Sequence, residues 1–361
     1  MSVPLFDSST PLAFLHDELR AAVTRVLDSE RYILGPEVEA FETEFAGYCG
    51  AEHAVGVANG TEAITIALRA MGVGPGDEVV VPSFTFYASA EAIPATGATP
   101  VFCDVDPATY CVTAETVKAA LTPKTKAVIA VHLFGNVAPV SEIEALGVPV
   151  LEDAAQAAGS VSEAGRPGSL GTAATFSFFP SKNLGAFGDG GMITTRDAQV
   201  AERVRVLRFH GSHDKVTYEE VGYNSRLDEL QAAILRVQLP HLDRLADGRR
   251  EAGRHYSDAG LGELVKLPVP VDGASPAWHL YVIASERVEE VERALAAADV
   301  GCKPYYRTPV HRQEAMRRWG SATPELPGTE QAARTHLAIP MSPVLTREMV
   351  EQVAGAVRAA G

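Results

Sequence analysis

Between residues 53 and 152 short apolar runs alternate with helical segments, and no other feature of the chain narrows its fold so far. The runs fall at 53–58, 78–82, 99–104, 127–132 and 148–152, each too short for a buried helix. Strands joined through helices pair in parallel, and a parallel sheet needs cover on both faces. The expectation is an α/β protein built on a mainly parallel sheet. Ligands of such sheets collect beyond the carboxyl ends of the strands, so the chemistry is sought in residues that directly follow a run.

Elements outside this core are also legible. Residues 11–30 are expected to form an amphipathic helix with Leu15, Leu19, Val23 and Leu27 on one face, and Val38, Phe41 and Phe45 mark a second helix. A strand is expected at 191–195 and a helix at 198–208. A long helix over 228–256, broken at Pro240, carries the apolar stripe Leu230, Ile234, Val237 and Leu242. Beyond it, a strand at 278–285 and helices at 288–298 and 346–359 read as a smaller α+β domain. The division expected is 1–240 for a large domain and 241–361 for a small one.

Five places near strand ends invite a ligand. Asn59-Gly60-Thr61-Glu62 follows the first run. Asn59 is a good N-cap and Glu62 completes a capping-box pattern, so the segment is either a well-capped helix or a phosphate cradle of backbone N–H groups. Ser83-Phe84-Thr85-Phe86-Tyr87 follows the second, with a helix expected from about Thr85, and its aromatics suit either the core or a planar ligand. Asp153 ends an apolar run, where a carboxylate needs a cationic partner or a helix to cap. Ser177 and Lys182 lie in Thr175-Phe176-Ser177-Phe178-Phe179-Pro180-Ser181-Lys182, where Pro180 ends strand pairing. Alone, Lys182 is most simply a surface lysine after a buried strand. Walled by Phe178, Phe179 and Phe187, it would instead be desolvated, its pKa lowered, and its amine able to form a Schiff base.

One ligand asks for all of these: pyridoxal phosphate, whose aldehyde needs an amine and whose pyridine nitrogen stays protonated beside a carboxylate. Other partners are disfavoured. With 31 Lys and Arg against 46 Asp and Glu, the net charge of −15 excludes nucleic acid as a bulk partner. Cys49, Cys103, Cys111 and Cys302 lack metal or redox spacing and are expected as free thiols, with no metal site. No leader or spanning run is seen, so a cytoplasmic protein without a membrane partner is expected.

Five segments resemble one family in order and spacing over nearly the whole chain. They are Gly35-Pro36-Glu37-Val38-Glu39-Ala40-Phe41-Glu42, Asn59-Gly60-Thr61-Glu62-Ala63, Glu152-Asp153-Ala154-Ala155-Gln156-Ala157, Ser177-Phe178-Phe179-Pro180-Ser181-Lys182-Asn183-Leu184-Gly185, and Gly222-Tyr223-Asn224-Ser225-Arg226-Leu227-Asp228-Glu229-Leu230-Gln231-Ala232. The family is that of the DegT/DnrJ/EryC1/StrS sugar aminotransferases. The resemblance implies the aspartate aminotransferase-like fold type I, with a mainly parallel seven-stranded sheet in the large domain, and a homodimer with shared active sites.

It further implies that Lys182 holds the cofactor aldehyde and shuttles the proton, that Asp153 pairs with the pyridinium nitrogen, and that Gln156 bonds the ring hydroxyl. Phe86 would stack on the ring, with Gly60, Thr61 and Ser177 on the phosphate and Asn224 reaching it from the partner. Tyr32, Arg226 and His311 match positions near the sugar, although Arg226 also suits a structural ion pair. The implied reaction moves an amino group from L-glutamate to a nucleotide-linked keto sugar. A dTDP-3-keto-6-deoxyhexose is favoured because residues 223–230 look most like the 3-amino-sugar enzymes. A 4-keto sugar on UDP, GDP or dTDP, or a keto-cyclitol, stays open. A regulatory role is the reading from another class, and the intact set Asp153, Gln156, Ser177 and Lys182 argues against it. Asn136 and Phe209 depart from the family pattern and are expected near the substrate.

Overall fold

The computed structural model describes residues 2–7, 10–320 and 323–360. Its apolar runs assemble into a seven-stranded sheet in the order β1-β8-β7-β5-β4-β2-β3. The strands are β1 (His53–Val57), β2 (Glu78–Pro82), β3 (Thr99–Cys103), β4 (Thr125–Val131), β5 (Val150–Asp153), β7 (Ala173–Ser177) and β8 (Gly191–Thr195). Outside the sheet β6 (Val161–Ser162) pairs with β9 (Ala274–Ser275). Within the seven-stranded sheet β8 runs antiparallel to both neighbours, β1 and β7, and every other pairing there is parallel. All strands but β8 therefore end at one edge. Every residue of β5 and β8 is buried, as helices on both faces require.

That edge collects the expected ligand residues. Gly60 heads the helix after β1, Phe86 follows β2, Asp153 ends β5 and Ser177 ends β7. The helix expected from Thr85 is only a short turn of helix, Ala88–Glu91.

The first helix is α1 (His16–Ser29), preceded by a 3-10 turn over Thr10–Leu15. Its buried stripe is Leu15, Leu19, Ala22 and Val26, and Leu27 is exposed. A series strictly four residues apart drifts by about 40° per step around a helix with 3.6 residues per turn. Alternating steps of four and three follow the buried face, and Leu27 has rotated off it.

Helix α2 (Pro36–Cys49) begins without a side-chain cap of its own. The cap comes from far along the chain. The Glu229 carboxylate is buried and accepts the N–H groups of Gly35 at 2.9 Å, Glu37 at 2.9 Å and Val38 at 2.8 Å. A negative group at a helix N-terminus also meets the positive end of the dipole. Two of the segments that carried the family resemblance are thus one structural unit.

The long C-terminal helix is Glu229–Gln238, a 3-10 turn over Leu239–His241, then Leu242–Asp258. Pro240 has no N–H to continue the α ladder, which accounts for the break. β10 (Tyr281–Ala284) pairs antiparallel with β11 (His336–Ile339). Helix Arg347–Arg358 packs on both Val288–Ala297 and Leu242–Asp258, around Tyr256, Leu295 and Val353. Leu280, Val282 and Val310 join the core of the large sheet, so the C-terminal layer is packed onto the edge that carries the ligand residues. Among the described residues no helix is long and apolar enough to cross a membrane.

Replacing Glu229 with Ala strands three N–H groups in a buried place. The expected loss is about 2–4 kcal/mol, read by urea unfolding, while Glu229→Gln should lose less because its amide oxygen still accepts.

Candidate active site

Helix α3 (Gly60–Ala70) presents its N-terminus at the edge between β1 and β7. Asn59 caps it, its Oδ1 accepting the Glu62 N–H at 2.9 Å. The reciprocal half of the expected capping box is not made: Glu62 Oε2 is buried with no hydrogen bond among the described residues. The Gly60 and Thr61 N–H groups, in the first turn, have no acceptor within the helix. Two glycines allow this approach. A Cβ on Gly60 would stand 2.7 Å from Ser177 Cβ, and one on Gly191 would stand 2.5 Å from the Asn59 carbonyl oxygen. Only bare backbone fits there, so N–H donors and the Ser177 hydroxyl share one small concavity suited to a phosphate.

Asp153 and Glu152 are neighbours with opposite duties, because successive strand residues face opposite sides of the sheet. Glu152 is fully buried. It accepts N–H groups of Gly168 at 3.0 Å and of Leu170 and Gly171 at 2.9 Å, and lies 2.8 Å from His132 Nε2. His132 Nδ1 accepts the Ala138 N–H at 3.0 Å, which leaves the ring proton on Nε2 to be donated to Glu152. Asp153 faces the cleft. Ser89 Oγ donates to its Oδ2 at 2.7 Å, and the Ala155 N–H reaches Oδ1 at 3.2 Å. Neither the expected ion pair nor a helix cap accounts for its burial, because a serine hydroxyl satisfies it. The positive charge in its field is Lys182.

Gln156 is oriented by the strained residue Phe134, whose φ is 58°. The Phe134 N–H donates to Gln156 Oε1 at 2.7 Å, so the amide NH2 is turned the other way and donates to the Tyr306 hydroxyl at 3.3 Å. The Tyr306 ring stacks on Phe134 and lies 6.1 Å from Phe86. Burial raises the pKa of its hydroxyl, and Asp153 adds to the rise. The Phe86 ring is 52% exposed at the cleft, free to meet a planar ligand.

Lys182 follows the end of β7 through Phe178, Phe179 and Pro180. Burial pulls its pKa from 10.5 down to about 8, with the Asp153 charge opposing the fall. Of the three phenylalanines expected to wall it, only Phe187 does. Phe178 turns into the core against Phe41 and Phe45, and Phe179 is exposed. Phe187 shares a cavity with Lys182, together with Phe6, Leu12 and Met341. Phe6, Leu12 and Met341 come from segments remote in sequence.

The remaining candidates lie further out. Asn224 is exposed, while the next residue, Ser225, accepts the Ala58 N–H at 3.1 Å and holds the segment beside the head of α3. Arg226 is partly buried and makes no ion pair among the described residues, so the structural alternative for it is not realised. Tyr32 is exposed, with its carbonyl bonded to the Glu229 N–H at 3.1 Å. His311 joins β2 to the C-terminal layer through Ser83 Oγ, with its Nε2 3.7 Å from Glu330. No hydrogen bond or ion pair among the described residues joins Tyr32, Arg226 or His311 to Lys182 or Asp153.

Asn136, expected near the substrate, is a buried strut instead. It donates to the carbonyls of Thr109 at 3.2 Å and Val269 at 3.0 Å and accepts the Val271 N–H at 3.0 Å. Phe209 carries the Lys215 ammonium 4.6 Å over its ring and bridges to Asn224. Sequence reasoning passed over Ser89 and Tyr306. Ser89 belongs to no motif, and Tyr306 lies five residues before His311 without a signal of its own.

The parts of the cleft fit pyridoxal phosphate: a concavity that a single Cβ would fill, an exposed aromatic face, a buried carboxylate and a lysine of lowered pKa. Sheet order and site together define a pyridoxal-phosphate-dependent enzyme of fold type I. The chain belongs to the DegT/DnrJ/EryC1/StrS aminotransferase family, whose model matches residues 14–358, and it is an aminotransferase. It is 45% identical to the dTDP-3-amino-3,4,6-trideoxy-alpha-D-glucose transaminase of Streptomyces venezuelae, over 99% of this chain and 95% of that one. It is also 45% identical to a "pleiotropic regulatory protein" of Geobacillus stearothermophilus, over 98% and 97% of the two chains. Among solved structures, S. venezuelae DesV in complex with a ketimine intermediate superposes with a TM-score of 0.94 at 43% identity, covering 99% of this chain and 98% of that one.

Two outcomes follow for the cofactor. Gly60→Ala should weaken pyridoxal phosphate binding by about tenfold or more in a spectroscopic titration, the cost of one displaced charge-assisted hydrogen bond. Only the neutral amine attacks an aldehyde. The rate of cofactor incorporation should therefore rise with pH and level off above an inflection at about 8, not 10.5.

Proposed function

We propose that this enzyme transfers an amino group from L-glutamate to a keto sugar carried on a nucleoside diphosphate, with a dTDP-3-keto-6-deoxyhexose as the first choice. The observation that carries the choice is the end-to-end 45% identity to a transaminase named for a dTDP-3-amino sugar. When bound, pyridoxal phosphate supplies an electron sink for the carbon that loses or gains the amino group.

The chain's own residues then have distinct duties. The N–H groups of Gly60 and Thr61 and the hydroxyl of Ser177 hold the phosphate. Asp153, kept in place by Ser89, faces the pyridine nitrogen and favours its protonated form. The Gln156 amide NH2, turned outward by Phe134, donates to the ring hydroxyl. Phe86 covers one face of the ring. Lys182 would bind the cofactor's aldehyde and, as a free amine, would move the proton at the substrate carbon. A pKa of about 8 suits both tasks, since the amine gives and takes a proton readily near neutrality.

Asn224 is exposed and would reach the phosphate held by a second copy, so that a homodimer would be the working unit. Tyr32, Arg226 and His311 border the sugar-nucleotide side. The unpaired Arg226 guanidinium is the group best suited to the diphosphate, because it is a planar multiple donor.

The name of the Geobacillus relative favours a second reading, a regulator without turnover. Spectroscopy separates the two. On the aminotransferase reading, L-glutamate added to the pyridoxal phosphate-loaded protein depletes its visible absorption band without any sugar. Lys182→Ala should remove this response and all turnover. An unchanged band with every amino acid tried would favour the regulator. A panel of dTDP-3-keto, 4-keto and cyclitol acceptors then tests the sugar, and turnover of only a 4-keto substrate would overturn the first choice.

A further inference from the structure

Lys182 sits at the tip of a tight loop. The Ala186 N–H donates to the Phe178 carbonyl at 2.7 Å and closes it, and the Lys182 N–H bonds to the Phe179 carbonyl at 2.8 Å inside it. A Cβ on Gly185 would stand 2.6 Å from the Pro180 carbonyl oxygen, so the two arms touch. Leu184 is buried in the core and holds one arm. The tip has a single polar anchor. Among the described residues, Asn183 is the only residue of 180–184 whose side chain makes a hydrogen bond.

That side chain reaches two layers. Asn183 Nδ2 donates to the Ala158 carbonyl at 3.2 Å, shortly after Gln156, and to the Ala277 carbonyl at 3.2 Å, in the C-terminal layer. Two carbonyl acceptors settle which way the amide is turned. Its Oδ1 is buried without a hydrogen-bond partner among the described residues. The far end of the tie is firm. The Ala277 N–H donates to Ser160 Oγ at 3.0 Å, and Ser160 Oγ donates to the Gly135 carbonyl at 2.7 Å. A Cβ on Gly135 would stand 2.8 Å from the His279 nitrogen and 2.9 Å from that of Trp278. This stretch of the C-terminal layer therefore lies hard against the turn whose Phe134 N–H orients Gln156.

We propose that Asn183 is a positioning residue for Lys182, holding its backbone in register with the Gln156 segment and the C-terminal layer at once. The proposal rests on the role of Lys182 given above. A lysine side chain is long and flexible, so its Cα and the walls around it set where the amine reaches. A reacting group misplaced by about 1 Å can cost about 100-fold in rate. Without the tie the tip swings outward, and water regains the ammonium.

The test begins with the cofactor-free protein. Lys182 is acetylated with acetic anhydride across a pH series, and its peptide is followed by mass spectrometry. Only the neutral amine reacts, so the inflection reports the amine itself. Asp153 on β5, Asp7 of the N-terminal segment, Arg249 of the helix Leu242–Asp258 and His279 border the same place and stay in every variant. The wild type should inflect at about 8. Asn183→Ala should inflect about half a pH unit or more higher, because solvation favours the charged form. In the loaded enzyme its kcat should fall by about tenfold, with KM for the acceptor changed by less than about twofold. Ser160→Ala is the control. It breaks the same junction at the Ala277 N–H and should lower resistance to urea without moving the inflection. Asn183→Ser, which keeps one donor, should fall between, and it replaces Asn183→Ala if that variant does not fold. An unchanged inflection in a folded Asn183 variant overturns the proposal. An equal shift in Ser160→Ala also overturns it, since the tie would then be a general brace. Failure of the Lys182 assignment shows elsewhere, as a visible band and turnover kept in Lys182→Ala, and the acetylation series still decides what Asn183 does to Lys182.

Discussion

The close approach of the α3 N-terminus to the ends of β7 and β8 is the constraint on which the site depends. Gly60 and Gly191 meet Ser177 and Asn59 at separations that no side chain tolerates. This puts unsatisfied backbone donors and a hydroxyl at one point of the sheet edge. β8, the single antiparallel strand, brings β1 and β7 to either side of itself, so residues far apart in sequence share one concavity. An anion held there is fixed by a rigid helix and a buried sheet, and the rest of the cleft is arranged at a set distance from it.

Charge in this cleft is managed by hydroxyls, amides and burial more than by ion pairs. Asp153 is satisfied by Ser89, and its field tempers the depression of the Lys182 pKa that burial produces. Behind it Glu152 is locked by three N–H groups and His132, which stiffens the end of β5 without entering the cleft. Such polar networks have worth because each member is paired, and they hold their shape for the same reason. Glu62 Oε2 and His279 Nδ1 are exceptions, buried polar atoms without a hydrogen-bond partner among the described residues. Departures of this kind gather where a ligand completes the bonding.

The C-terminal layer takes part in the cleft as well as covering it. Tyr306 donates its ring to the aromatic wall and meets Gln156, His311 ties its segment to Ser83, and Arg249 reaches the cavity beside Lys182. Asn136, buried between the sheet and residues 269–271, holds the two layers in register. A ligand in the cleft therefore touches both layers, and the geometry of each bears on the other.

Local physics made much of this legible in the sequence. Parallel strands buried on both faces leave continuous apolar runs, and topology makes the segments at their carboxyl ends ligand candidates, while the roles of Gly60, Phe86, Asp153, Ser177 and Lys182 come from the family resemblance. Periodicity also located the helices, although the face of α1 was misjudged where a four-residue spacing drifts around the axis. What stayed hidden depends on contacts between distant segments. The motif at Gly35–Glu42 is a helix whose cap is Glu229. Lys182 shares its cavity with Phe6, Leu12 and Met341 from distant segments, and of its own phenylalanines only with Phe187. Asn136 is a strut because residues 269–271 reach it. The sequence by itself determined which residues end the strands, since period and turn chemistry are local. Only the tertiary structure decided strand order, which of two adjacent carboxylates faces the cleft, and which arginine lines the cavity beside the lysine, because those follow from packing across long stretches of chain.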